Sequence, residues 1–274
     1  MNRLYFLPIF SLIAACQLDA EHSILPNTPE VAPTTISAIP APPGYERVAA
    51  RDSFTIWLRR LPLKNDNRVY LYNGELKENQ SAQFAVVDIP VGRKNLQQCA
   101  DAIIRLRTEY FLHSGKEDKI IFTATDGTAL SFPAWRKGTR YRLSGNRLVT
   151  YVTQQTTTDK RVDLEKFLEI VFAYCGTISL HKEMRQISIE EMQPGDVLIK
   201  GGSPGHAMII IDMAVNTSGQ KLFMLAQGYM PAQDMHVVKN PIDARLCPWY
   251  QIDNTGVIDT PEWSFSVKDL RRWR

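Results

Sequence analysis

The sequence contains few of the residue patterns that bind metal ions. Its 274 residues include four cysteines and five histidines, with no Cys-x-x-Cys pair and no closely spaced pair of histidines. Structural zinc sites use such pairs. We therefore expect neither a metal nor an organic cofactor.

Excess charge and long apolar runs are also scarce. The formal net charge is +3, and no basic run alternates with aromatic residues, which argues against a nucleic-acid partner. Beyond the N-terminus, no hydrophobic stretch is long enough to span a membrane. A content of 44% hydrophobic and 22% charged residues is typical of a globular protein.

The N-terminus has the composition of an export signal. Arg3 precedes an apolar run over residues 4–15, and small residues come directly before Cys16; the run is too short for a permanent anchor. A buried helix with an incidental cysteine is the alternative. The segment Ile-Ala-Ala-Cys at 13–16 resembles the lipobox of bacterial lipoproteins. This resemblance implies a signal peptide at 1–15, lipidation of Cys16 and a membrane anchor, and Gln17 in place of aspartate implies the outer membrane of the cell envelope.

The next segment predicts a tether followed by one domain. Residues 16–43 carry six prolines among threonine, serine and alanine, without helical or strand periodicity. Such composition is typical of an extended linker. We expect a single folded domain over residues 44–274.

A helix is predicted around Cys99, in the stretch NLQQCADAIIRLR at 95–107. Asn95 can cap the helix and Gln98 can reach back to the cap. Cys99 then lies near the positive end of the helix dipole, which favours a thiolate. It also belongs to an apolar stripe at helical spacing, which is typical of a buried structural cysteine. The pattern alone leaves both interpretations open.

Two further cysteines provide a comparison. A second helix is predicted from an Asp163 cap to Gly176, and it places Cys175 at the negative end, where the dipole disfavours a thiolate. Cys247 precedes a proline in a predicted loop. Without Cys16 the cysteines are three, so at least one is unpaired in an oxidising compartment.

Three antiparallel strands are predicted over residues 196–227, with the sequences DVLIK, HAMIIIDMAV and KLFMLAQ joined by turn residues. The apolar run of the second strand indicates burial on both faces, under a helix. His206 opens that strand between Gly205 and Ala207. A preceding strand is predicted at 83–89, directly before the Cys99 helix.

The stretch GDVLIKGGSPGHAMIIIDM resembles the Gly-Asp and histidine strands of the NlpC/P60 envelope cysteine peptidases and amidases. A closer resemblance covers Cys99-Ala-Asp with Arg105, the turn at 201–206 and residues 225–250; it is to a family of bacterial lipoproteins whose main domain has no established function. The superfamily resemblance implies an α+β, papain-like fold. Its antiparallel sheet would pack on a buried N-terminal helix, with a large insertion at 114–185.

The papain-like pattern also implies roles for individual residues. Cys99 would be the nucleophile, His206 its base, and Gln227 the polar group that orients the imidazole. Gln233 and His236 are the alternatives for that third position.

The implied reaction is attack of the Cys99 thiolate on an amide or ester carbonyl of the cell envelope, such as a peptidoglycan stem peptide, another peptide or a lipid ester. Backbone N–H groups at the helix start, with Gln97 or Gln98, would stabilise the oxyanion. A papain-like domain without catalysis is the alternative, binding an envelope ligand through the basic stretch at 136–148 or the loop at 229–231. A scaffold for a surface complex is a third reading.

Overall fold

A computed structural model describes residues 32–154, 157–252 and 255–274. The predicted signal peptide at 1–15, the lipidation site Cys16 and the tether as far as residue 31 lie outside the described residues. None of the helices among the described residues is long and apolar enough to cross a membrane.

The packed unit comprises Pro33–Arg274, so it begins before Gly44. Ile36 and Ile39 are fully buried and belong to the main core. The backbone there is tied down as well, because the Ile36 N–H donates to the Leu61 carbonyl over 3.1 Å and the Leu63 N–H donates to the Thr34 carbonyl over 2.9 Å. Residues 33–43 are therefore part of the domain, since burying two isoleucines stabilises this segment against the core.

Five helices and fifteen strands are assigned among the described residues, besides short 3₁₀ turns. The helices are α1 (Ser53–Arg59), α2 (Cys99–His113), α3 (Phe132–Arg136), α4 (Lys160–Tyr174) and α5 (Thr177–Glu183). The strands are β1 (Tyr45–Arg47), β2 (Gln83–Val86), β3 (Ile121–Thr123), β4 (Ala129–Ser131), β5 (Thr139–Ser144), β6 (Arg147–Val152), β7 (Met184–Gln186), β8 (Val197–Lys200), β9 (His206–Asn216), β10 (Lys221–Gln227), β11 (His236–Val238), β12 (Trp249–Tyr250), β13 (Val257–Asp259), β14 (Ser264–Ser266) and β15 (Leu270–Trp273).

A large antiparallel sheet is the centre of the fold. Its strand order is β2-β11-β10-β9-β8-β15-β7, with β1 paired to β9 and β12 paired to β10. The predicted meander of three strands, β8, β9 and β10, is confirmed. The sheet and the helices around it make a mixed α/β architecture.

The central strand β9 is buried on both faces. Ile209 and Ile211 pack into the core that contains α2, whereas Met208 and Ile210 pack into a second core on the other face with Phe265. The apolar run therefore satisfies the period-two geometry of a strand on both sides at once, as the sequence predicted.

Helix α2 begins at Cys99, with Gln98 as its cap residue, and not at the predicted Asn95 cap. The side-chain oxygen Oδ1 of Asn95 instead accepts the backbone N–H of Ala232 over 2.8 Å. Asp101 takes over the reciprocal contact, because its carboxylate accepts the Gln98 backbone N–H over 3.1 Å. Cys99 is consequently the first helical residue.

Helix α4 also begins earlier than the predicted Asp163 cap. Asp159 caps it by accepting the N–H groups of Arg161 at 2.9 Å and Val162 at 3.1 Å. Asp163 lies inside the helix, buried, where it pairs with Arg136.

The residues between α2 and the sheet build two hairpins, β3-β4 and β5-β6, that lie outside the main sheet. Phe132 of α3 packs on Phe167 of α4 with ring centroids 5.4 Å apart. The basic stretch at 136–148 includes β5, in which Tyr141 is buried as predicted. Leu143, which we expected to point inward, is 56% exposed because it lies close to the hairpin turn.

Candidate functional site

The start of β9, the end of β10 and the start of β11 lie side by side at one end of the sheet, and they bring polar side chains together there. His206 is the first residue of β9, Gln227 the last of β10, and His236 the first of β11. Gln227 and His236 are register partners. All three are almost fully buried, so their polar atoms must find partners inside the protein.

Gln227 links the two imidazoles. The Nε2 atom of His206 lies 2.7 Å from Oε1 of Gln227, and Nε2 of Gln227 lies 3.2 Å from Nε2 of His236 and 2.8 Å from a carboxylate oxygen of Glu262. His236 directs Nδ1 at the Asp234 carbonyl over 3.0 Å, so its Nε2 is an acceptor. Both amide protons of Gln227 are then used, which leaves its oxygen to accept.

This chain of contacts assigns the protonation state of His206. Because Gln227 presents only an acceptor, the neutral His206 ring carries its proton on Nε2. The second nitrogen, Nδ1, is then unprotonated, and it forms no hydrogen bond with any described residue. His206 is therefore oriented as a base with Nδ1 as the receiving atom.

A buried ion pair, which no sequence pattern predicts, supports this network. Nζ of Lys77 lies 2.6 Å from the Glu262 carboxylate, and the two side chains are only 7% and 10% exposed. Three aromatic rings enclose His206, with centroid distances of 4.9 Å to Tyr229, 5.3 Å to Trp263 and 5.9 Å to Phe265.

Cys99 lies against the start of β9, the strand that begins with His206. The backbone N–H groups of Ala100, Ala207 and Cys99 itself favour its thiolate form, and Ala207 directly follows His206. The side chain is 8% exposed and lines a cavity of about 400 Å³ between α2, α4 and the turn at 202–205. No hydrogen bond joins the thiol to His206 in the part of the chain that the structure describes.

Burial controls the titration of both groups. It raises the pKa of the Cys99 thiol to about 11, with a smaller contribution from the Asp101 carboxylate. It lowers the pKa of His206 to about 4, against the opposing effect of the hydrogen bond to Gln227. At neutral pH the site therefore holds a thiol and a neutral imidazole. The helix-dipole argument for a thiolate is outweighed, because desolvation disfavours the charged form more strongly.

We expect iodoacetamide to modify Cys99 of the folded protein roughly a hundredfold more slowly at neutral pH than a free cysteine, because the thiolate fraction falls as the pKa rises. The labelling rate should then climb with pH up to about 11. Peptide mass spectrometry of each cysteine gives the rates, with the half-buried Cys247 as the internal control. A labelling midpoint below that of Cys247 would contradict the prediction.

The remaining residues singled out by the sequence take other positions. Among the described residues, neither side-chain amide atom of the buried Gln233 has a hydrogen-bond partner, and nor does the amide oxygen of Gln97. Gln98 directs its amide nitrogen toward Asn95 over 3.4 Å. Cys175 closes α4, and its thiol contacts the Thr123 carbonyl over 3.4 Å. Only Gln227 contacts the His206 ring through a hydrogen bond among the described residues.

Gly228 allows the end of β10 to approach the start of α2. A Cβ at this position would lie 2.9 Å from the Gln98 carbonyl oxygen and 3.0 Å from Cβ of Ala102. The helix turn that carries Cys99 and the strand that carries Gln227 therefore touch through backbone.

We expect Gly228→Ala to lower the free energy of unfolding by about 1–3 kcal/mol, because the added methyl group must displace the first turn of α2. Chemical denaturation measures the loss. Gly176→Ala is the matched control, since a Cβ there would have no heavy atom of the described residues within 4 Å apart from its chain neighbours. Equal stability of the two variants would show that the contact at Gly228 is not tight.

Within the described ranges, no group of three or more His, Cys, Asp or Glu side chains is arranged to hold a metal ion. Residues 36–272 match the model of one family, described as Domain of unknown function (4846). No curated protein and no solved structure matches the chain.

Proposed function

Because the chain belongs to the family Domain of unknown function (4846), whose description names no activity, we propose a function from the site itself: a thiol hydrolase that cleaves an amide or ester. Cys99 is the nucleophile, His206 the base and Gln227 the residue that positions the base. The NlpC/P60 and papain-like resemblance supports the same order of residues on a helix and two strands.

One observation carries this proposal. The contact between His206 Nε2 and Gln227 Oε1, at 2.7 Å, fixes the imidazole with Nδ1 unprotonated. A base needs that tautomer to receive the proton of a thiol. Because both amide protons of Gln227 are used by His236 and Glu262, the amide presents only its oxygen to His206.

The reaction follows from these groups. As the Cys99 sulfur attacks the carbonyl carbon, its proton passes to Nδ1 of His206, and the resulting imidazolium is stabilised through Gln227. The N–H groups of Cys99 and Ala100 at the start of α2, which have no intrahelical partners, lie against the sulfur and would stabilise the oxyanion that forms beside it. His206 then protonates the leaving group, and water releases the acyl group from sulfur.

Acetyl transfer from p-nitrophenyl acetate tests the proposal without knowledge of the natural substrate. We expect an acetyl group on Cys99, detected by mass spectrometry, followed by its hydrolysis. His206→Ala should slow acylation by about 10²–10⁴-fold, the usual contribution of a general base.

Two controls accompany this experiment. His113→Ala removes an exposed histidine at the end of the same helix, and Cys175→Ala removes the other cysteine that lines the cavity; both should react at the unaltered rate. Acylation that is equally fast in His206→Ala would exclude His206 as the base.

A second candidate function is ligand binding without catalysis, and one observation favours it. The pKa of the Cys99 thiol is about 11 and that of the His206 imidazole is about 4, and this difference opposes proton transfer from one to the other. The cavity of about 400 Å³ would then hold a ligand that is not cleaved. Absence of acetyl-Cys99 at every pH up to the ionisation of the thiol would favour this candidate.

We further propose that the protein is a lipoprotein of the bacterial cell envelope, anchored to the outer membrane through Cys16. The signal-like composition of residues 1–15 supports this location. An envelope substrate such as a peptidoglycan peptide is then within reach. Metabolic labelling with a fatty-acid analogue should be lost in Cys16→Ser, and retained label in that variant would exclude lipidation at this residue.

A further inference from the structure

A second cavity, of about 610 Å³, lies beside α2 at Arg107, about two helical turns beyond Cys99. We call it the Arg107 cavity. Its walls come from α2, the β3-β4 hairpin, α5 and the end of β15. None of the residues assigned to the thiol site lines it.

Basic side chains dominate this cavity. Its lining includes four cations and two carboxylates: Arg107, Lys119, Lys182 and Arg274 against Asp126 and Glu183. In the described part of the chain, none of the four cations forms an ion pair or a side-chain hydrogen bond. The lining therefore carries an excess of positive charge, which attracts anions.

Both carboxylates are already occupied by backbone groups. Asp126 accepts the N–H of Thr128 at 2.9 Å and that of Leu148 at 2.6 Å. Glu183 accepts the N–H of Thr123. The acids therefore hold the β3-β4 hairpin in place, and they leave the cations available to a ligand.

Arg107 is held in a fixed orientation. Its guanidinium carbon lies 4.8 Å from the ring centroid of Phe111 and 4.3 Å from that of Trp273. Burial lowers the pKa of Arg107 to about 10, although the nearby Glu183 carboxylate opposes the change. Ring contacts of this kind occupy the faces of a guanidinium and leave its N–H edge for bonding in the plane.

We propose that the Arg107 cavity binds a small oxyanion that carries two or more negative charges. Arg107 supplies a planar pair of N–H donors, and the exposed Lys119 and Lys182 supply further positive charge. Phosphate groups and dicarboxylates share this chemistry, and both match the fork geometry of arginine. The proposal is independent of the reaction proposed for Cys99.

Isothermal titration calorimetry of the folded chain with inorganic phosphate and, separately, with succinate tests the proposal at constant ionic strength. We expect one saturable site for at least one of the two anions. Lys182→Met, at an exposed position, and Arg107→Lys, which keeps the charge but loses the fork, should each weaken binding by about tenfold or more, since a charge-assisted hydrogen bond is lost.

Arg142→Met is the matched control, because it removes an exposed positive charge from the β5-β6 hairpin, away from the cavity. Its affinity should equal that of the unaltered protein. Binding of phosphate alone or of succinate alone supports the site and identifies the ligand class. No saturable binding of either anion, or equal weakening in Arg142→Met, would overturn the proposal.

Discussion

Acidification from pH 6.5 to pH 4 is expected to lower the free energy of unfolding by roughly 3 kcal/mol for each of the two buried imidazoles, His206 and His236. Burial lowers the pKa of each ring from 6.5 to about 4. In this window the unfolded chain binds a proton at each ring while the folded chain does not. Their stabilising contribution is therefore complete above pH 6.5 and is lost as the pH falls toward 4.

Urea unfolding across this pH range measures the effect, and substitution separates it from the titration of carboxylates. His206→Gln and His236→Gln should each reduce the slope of the unfolding free energy against pH by the contribution of one bound proton. His113→Gln, at the exposed end of α2, should leave it unchanged. If neither buried variant alters this slope, the pKa values of the two rings are not lowered in the folded protein.

Replacement of Lys77 by methionine is expected to lower the free energy of unfolding by about 3–5 kcal/mol, because it leaves the Glu262 carboxylate buried without its counter-charge. The pair is 2.6 Å long, and both side chains are almost fully buried. The change should also raise the pKa of His206, since the Lys77 charge lowers it and the Glu262 charge raises it. Denaturation and an NMR titration of His206 record the two effects.

Two further variants identify the cause of this loss. The double variant Lys77→Met with Glu262→Gln removes both charges and keeps an acceptor for Gln227, so it should be more stable than Lys77→Met alone. Lys94→Met breaks a pair with Glu169 whose members are 61% and 43% exposed, and it should cost less than about 1 kcal/mol. If Lys77→Met and Lys94→Met lower the free energy of unfolding equally, burial does not determine how much an ion pair contributes to the stability of this protein.

The sequence predicts those parts of the fold that depend on local pattern. A continuous apolar run predicts strand β9, and an apolar stripe at helical spacing predicts α2. The pairing of β9 with β10 follows from the short turn between them. Once those two strands are adjacent, His206 and Gln227 lie at the same end of the sheet. Their contact can therefore be predicted from the sequence.

The unpredicted features depend on contacts between distant parts of the chain. Lys77 and Glu262 are 185 positions apart, and neither lies in a motif. Asn95 does not cap α2 because its side chain accepts a hydrogen bond from the backbone N–H of Ala232, 137 positions away. The sequence leaves the ionisation of Cys99 open for a related reason: the helix dipole is visible in the sequence, whereas the packing that desolvates the thiol is not.

The early start of the packed unit has a mechanical consequence. A pull on the chain ahead of Pro33 reaches the Thr34–Leu63 and Ile36–Leu61 hydrogen bonds and the two buried isoleucines first. Strand β1, which pairs with β9 from Tyr45 to Arg47, carries the load only after those contacts yield. The contacts of residues 33–43 therefore break before a pull from this side reaches β1, which pairs with the end of β9 opposite to His206.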